Sequence, residues 1–172
     1  MTLAFLTAIA FQFLVLIGMY LLSEAPLWTG KEIRIKTTPV DPRSLFRGNY
    51  ARLDYEISTI NSEDITGSQF LRNGELVFVN LKQTKNGLYE FASASLVEPN
   101  SGMFLKGRLQ NKRFEVSGML RINYGIEAFF APKEKAIALE KTLRESGIAV
   151  LMVSSRGKAR LKDIVGQKTT DK

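Results

Sequence analysis

The 172-residue chain contains neither cysteine nor histidine. The first absence excludes disulfides, thiolate metal sites and cysteine nucleophiles. The second removes the commonest general base and the commonest zinc ligand. The sequence also lacks a glycine-rich phosphate loop and a dinucleotide fingerprint. A Ser–Lys dyad or a carboxylate pair remains for catalysis. Ser154, Ser155 and Lys158 are close together, but Gly157 marks them as a turn. Asp54 and Glu56 fall on one face of a candidate strand near Arg43 and Arg52, where charge pairing is the simpler account. No enzymatic activity, cofactor or metal is therefore expected.

Acidic residues are the scarcer charge, 17 against 24 Lys and Arg, for a net charge of +7. The excess sits in two segments. Residues 31–55 hold Lys31, Arg34, Lys36, Arg43, Arg47 and Arg52 against Glu32, Asp41 and Asp54. The tail from Arg156 holds Arg156, Lys158, Arg160, Lys162, Lys168 and Lys172 against Asp163 and Asp171. A basic residue held near anionic lipid gains about 1 kcal/mol. Nucleic-acid binding is the rival reading of a basic chain. No recognised motif accompanies the charge, so membrane lipid is the expected partner and nucleic acid is not.

From Leu3 to Leu22 no residue carries a formal charge, and only Thr7, Gln12 and Tyr20 have polar side chains. A helix of that length spans about 30 Å, the hydrocarbon thickness of a bilayer. Pro26 is expected to end the helix and Trp28 to lie at the headgroup boundary. A cleaved leader is the competing reading. Against it, no basic residue precedes the apolar run, the run exceeds a signal core, and Ser23-Glu24-Ala25 is followed directly by Pro26. Residues 1–25 are thus expected to be an uncleaved transmembrane anchor. Lys and Arg lie only on its C-terminal side, which by the positive-inside rule places the following domain in the cytoplasm. Ala4, Ala8 and Gln12 recur every four residues and form a small, polar stripe suited to docking a partner helix.

Residues 26–166 are expected to form one β-rich, membrane-proximal domain, with 167–172 a polar tail. Lys31 to Lys36 alternates polar and apolar, the period of a half-buried strand. Asn49 to Ser58 reads as a second strand, with Ala51, Leu53, Tyr55 and Ile57 facing the core. Glu75–Lys82 and Leu88–Leu96 form a hairpin turned at Asn86-Gly87. Met103–Leu109 and Arg113–Ile122 form another, turned at Asn111. Pro132 opens a helix to about Glu145 with an apolar stripe of Ala136, Leu139 and Leu143. Ile148–Val153 and Lys158–Ile164 are the closing strands. The predicted fold is mainly β (α+β): an N-terminal transmembrane helix, then an antiparallel or mixed sheet curled into a sandwich or partial barrel, with one packed helix.

The stretch from Asp41 to Tyr55 contains Gly48, Tyr50, Leu53 and Tyr55 at fixed spacing, with Asn49 after the glycine. Gly48 and Asn49 tolerate a left-handed backbone, and Asn49 can form an Asx-turn. The pattern resembles the GDYXXLXY family of bacterial proteins, from whose name Asn49 departs by standing where Asp is written. Tyr124, Gly125 and Glu127, with Phe130 and Pro132, also resemble the family, as do Arg156-Gly157-Lys158 and Thr29-Gly30. The resemblance covers nearly the whole chain. It implies a membrane-anchored protein with an extracytoplasmic domain, associated with multi-span membrane proteins and without an assigned activity. It opposes the orientation given by the basic residues, and the domain is expected outside the bacterial inner (cytoplasmic) membrane.

Within the motif, Tyr55 is expected to be a core ring with its hydroxyl bonded, and Leu53, Tyr124, Gly125 and Glu127 to be structural. Arg43, Arg47, Gly48, Asn49, Tyr50 and Arg52 form the candidate partner-binding surface, Arg and Tyr being common interface anchors. The leading expectation is a non-catalytic accessory subunit that binds or stabilises another integral membrane protein. The alternatives are a cell-envelope glycan or anionic-ligand module and an unusual hydrolase without His or Cys. Homo-oligomerisation stays open.

Overall fold

A run with three polar side chains in twenty residues has nothing to break it, and it forms one helix, α1, Thr2–Thr29. The stretch Leu3–Ala25 is long and apolar enough to cross a membrane, and its apolar window is left uncovered by the rest of the protein. The computed structural model describes residues 2–38, 50–66, 71–110, 118–130 and 147–166.

The helix does not stop at Pro26, contrary to the expectation from sequence. A proline inside a helix removes one backbone hydrogen bond and costs on the order of 3 kcal/mol. The last turn nevertheless continues to Thr29, whose hydroxyl donates to the Ala25 carbonyl at 3.0 Å. Glu24, one turn earlier, is ion-paired with Arg160 of the domain. The ion pair ties the helix to the domain just before the proline.

Twelve strands follow among the described residues: β1 Lys31–Thr38, β2 Tyr50–Arg52, β3 Asp54–Tyr55, β4 Thr59–Asn61, β5 Ile65–Thr66, β6 Leu76–Gln83, β7 Tyr89–Ser95, β8 Met103–Gln110, β9 Met119–Asn123, β10 Ala128–Phe130, β11 Gly147–Val153 and β12 Ala159–Gly166. They build a four-stranded sheet in the order β12-β11-β1-β3, a pair β10-β2, and a six-stranded sheet in the order β4-β9-β8-β6-β7-β5. Only β5 and β7 pair in parallel within these sheets. Register shifts at Val150/Leu151 and Asn80/Leu81 bend β11–β12 and β6–β7, which helps curl the sheets. The protein is therefore mainly β, an N-terminal helix joined to curled, mixed sheets.

The alternation of β1 survives intact: Ile33 and Ile35 are buried while Lys31, Glu32 and Arg34 are exposed. The hairpin between β6 and β7 turns at Gly87, whose φ of +77° suits glycine. The single strand predicted for Asn49–Ser58 is divided. Residues of β2 pair with β10, those of β3 pair with β1, and a 3-10 turn at Glu56–Ser58 follows. The chain changes partners at Leu53, whose N–H donates to the Glu127 carbonyl at 2.8 Å. The alternation of faces is kept, with Leu53, Tyr55 and Ile57 buried, but no one neighbour accepts the whole run.

One core joins the sheets, built from Ile33 and Ile35, Leu53 and Tyr55, Val77 and Val79, Leu105 and Leu109, Ile122, and Leu151 and Val153. Gly107 in β8 lets the packing close: a Cβ there would lie 2.3 Å from Ile122 Cγ2. The predicted helix Pro132–Glu145, the turn at Asn111 and the 167–172 tail lie outside the described residues.

Candidate functional site

The family-like motif enters the fold as a clamp. Tyr55 and Tyr124 are both buried, at 2% and 8% exposure. The Tyr55 hydroxyl donates to the Ile126 carbonyl at 2.6 Å, and the Tyr124 hydroxyl donates to the Ile57 carbonyl at 2.7 Å. Each ring thus reaches into the other's segment. Burial, more than the nearby charges of Glu127 and Asp54, pushes the Tyr55 phenol up; burial and then Glu127 do the same for Tyr124. Both therefore act as neutral hydrogen-bond donors at physiological pH.

The second segment is itself tied. Glu127 Oε1 accepts the Tyr124 N–H at 2.5 Å, and Asn123 Oδ1 accepts the Gly125 N–H at 2.8 Å. Gly125 takes a φ of +78°, so the turn needs a residue without a side chain there. Glu127 caps backbone, and its own carbonyl receives Leu53. Leu53, Tyr55, Tyr124, Gly125 and Glu127 are thus brought into one unit.

The carboxylates of the motif strand are paired across strands. Asp54 Oδ2 meets Arg121 Nη2 at 2.9 Å and Glu56 meets Lys36 Nζ at 2.9 Å. These partners come from β9 and β1. Arg52 is exposed, and Tyr50 pairs by backbone with Phe130. Arg43, Arg47, Gly48 and Asn49 lie outside the described residues. At the turn after β11, Ser154 Oγ accepts the Lys158 N–H at 3.2 Å and Gly157 has a φ of +74°, which makes these residues a hydrogen-bonded turn.

Ala4, Ala8 and Gln12 stand on successive turns of α1 and are all exposed. The base of the same helix is fixed to the domain by Glu24 and Arg160, the Glu24 side chain being only 17% exposed. Beside it, Lys162 bonds Glu32 at 2.8 Å, and this contact more than Arg34 holds the Glu32 carboxyl below its ordinary range. Sequence reading missed the Glu24–Arg160 contact. Its one signal was an acidic residue at the very end of an otherwise uncharged helix.

No curated protein and no solved structure matches the chain significantly. The family model described as "GDYXXLXY protein" matches residues 12–164, which take in the lower part of α1, the tyrosine clamp and all the strands of the domain but the end of β12. The chain is therefore a member of the GDYXXLXY family.

Proposed function

We propose that the protein is a non-catalytic accessory subunit, anchored in the bacterial inner membrane with its domain on the extracytoplasmic side, where it binds or stabilises another integral membrane protein. The observation that carries this reading is the contrast along α1. Its apolar length is uncovered, with Ala4, Ala8 and Gln12 exposed on one face, while its end is ion-paired to the domain through Glu24 and Arg160. A helix held this way presents the stripe and the domain in a fixed relation. A Gln amide facing lipid gains by bonding a neighbouring helix, by about 0.6–2 kcal/mol.

Purification of the tagged full chain in mild detergent, with mass-spectrometric identification of what accompanies it, tests the reading. A stoichiometric membrane protein is expected, and Gln12→Leu is expected to lower its recovery several-fold. Recovery unchanged by Gln12→Leu overturns the helix stripe, and a chain that purifies alone overturns the subunit. Protection of the domain from protease added outside spheroplasts overturns the orientation.

A further inference from the structure

We propose that a basic cavity at the base of α1 binds the phosphate of an anionic phospholipid headgroup. The inference rests on α1 lying in lipid, and it adds a ligand and a site to that reading. The cavity has a volume of about 390 Å³ and is lined by Leu22, Ala25 and Thr29 of α1 and by Lys106, Arg156 and Lys158 of the domain. Ligand sites occupy about 300–1,000 Å³. An adjoining hollow of about 210 Å³ shares Thr29 and adds Lys31.

The depth fits the chemistry. The 23-residue stretch ends at Ala25, and at 1.5 Å per residue it rises about 35 Å, slightly more than a hydrocarbon layer of about 30 Å. Leu22 and Ala25 then stand where acyl chains meet headgroups. Trp28, 64% exposed, stands one turn higher at the level favoured by interfacial aromatics. A lipid seated here lays its chains against Leu22 and its phosphate among the cations.

The turn that carries two of the cations is fixed, and no ion pair among the described residues neutralises the charges. Gly157 keeps the turn carrying Arg156 and Lys158 in a fixed form: its φ is +74°, its carbonyl accepts the Lys106 N–H at 2.8 Å, and a Cβ there would lie 2.6 Å from the Phe104 ring. Lys106 Nζ stands 5.8 Å from the centroid of the Phe78 ring, a contact that leaves its charge intact. Among the described residues, none of Lys31, Lys106, Arg156 and Lys158 has an ion pair, whereas Arg34, Lys36, Arg121, Arg160 and Lys162 all do. The C-terminal carbonyls of α1 present about half a negative charge, which four full positive charges outweigh.

Native mass spectrometry of the full chain in detergent, titrated with phosphatidylglycerol, phosphatidylcholine or inorganic phosphate, tests the site. One phosphatidylglycerol is expected to be retained in preference to phosphatidylcholine, with inorganic phosphate unable to displace it. Each basic residue near an anionic surface is worth about fivefold in affinity, so Lys106→Gln, Arg156→Gln and Lys158→Gln together should weaken retention about 100-fold. Arg156→Gln and Lys158→Gln singly, about fivefold each, carry the test should the triple variant not fold. Neutralising Arg72, Lys82 and Lys85 removes the same charge and should leave retention unchanged. Equal loss in that control, or equal retention of phosphatidylcholine, overturns the site. Displacement by inorganic phosphate at equal concentration overturns the lipid as its source. Release of the chain from membranes by alkaline carbonate overturns the anchoring and the site together, whereas a chain that stays in the membrane without lipid selectivity overturns the site alone.

Discussion

Replacing Tyr55 or Tyr124 with phenylalanine should destabilise the domain and also change how its stability depends on pH. Each substitution removes a hydroxyl that donates to a carbonyl in the core, of Ile126 or Ile57, both residues being buried. A buried acceptor left without its donor costs about 1–3 kcal/mol. Loss of about 1.5 kcal/mol per variant corresponds to about 5 °C in Tm for a domain of this size. The two bonds join the same pair of segments in opposite directions, so the double variant should cost less than the sum of the singles, by about 0.5 kcal/mol or more. The phenols also titrate differently in the two states. In the unfolded chain they lose their protons near pH 10, while in the fold burial holds both above that value. Below pH 10 both states keep the proton and this contribution to stability is complete. Above it only the unfolded chain releases protons, so stability falls as pH rises, by about 1.4 kcal/mol per pH unit for each tyrosine and about 2.7 kcal/mol for both. Urea unfolding of the full chain in detergent at several pH values between 9 and 11.5 measures all of this. Tyr55→Phe should halve the alkaline slope and the double variant should abolish it. Single costs below about 0.5 kcal/mol, or an alkaline slope that survives in the double variant, would refute the clamp.

Two glycines give a second test. Gly107→Ala forces a methyl group to within 2.3 Å of Ile122 Cγ2, and Gly157→Ala adds a left-handed backbone at φ +74° to a 2.6 Å approach to Phe104. Overpacking of this kind costs about 1–3 kcal/mol, and the strained backbone at Gly157 adds about 1 kcal/mol, so Gly157→Ala should lower Tm further than Gly107→Ala in thermal scans. Glu24→Gln removes the carboxylate that meets Arg160, an arginine 40% exposed at its side chain. The global cost should stay below about 1 kcal/mol. Hydrogen exchange should nevertheless rise at Thr29 and along β12, and unchanged exchange there would show that the helix is held by packing alone.

Much of the architecture was legible because it is periodic. The two-residue alternation of β1 marks Ile33 and Ile35 as core, and the dipeptide Asn86-Gly87 marks a turn, closed by Thr84 N–H to the Leu88 carbonyl at 2.8 Å. β4, β5 and β10 hold three residues or fewer, too short for a period to register. The motif strand kept its faces but not its length, because a change of partner at Leu53 depends on Glu127, which no local pattern reveals. Pro26 shows the converse. Local chemistry would end the helix there, yet it continues to Thr29.

The candidate site was legible as separate pieces. The alternation makes Tyr55 a core residue, and a buried phenol calls for an acceptor, but that acceptor stands 71 positions away at Ile126. Glu24 and Arg160 are 136 positions apart, so the charge ending the apolar run and the charge on the last strand give no sign of each other in the sequence. Two family-like stretches, around Tyr55 and around Tyr124, are one structural unit in the fold. The residues that unit consumes, Leu53, Tyr55, Tyr124 and Glu127, are buried or bonded into backbone. Their chemistry is spent on holding the domain, which leaves the proposed recognition to residues outside the clamp, among them exposed Arg52 on the motif strand, exposed Gln12 on α1 and the unpaired cations beside Thr29.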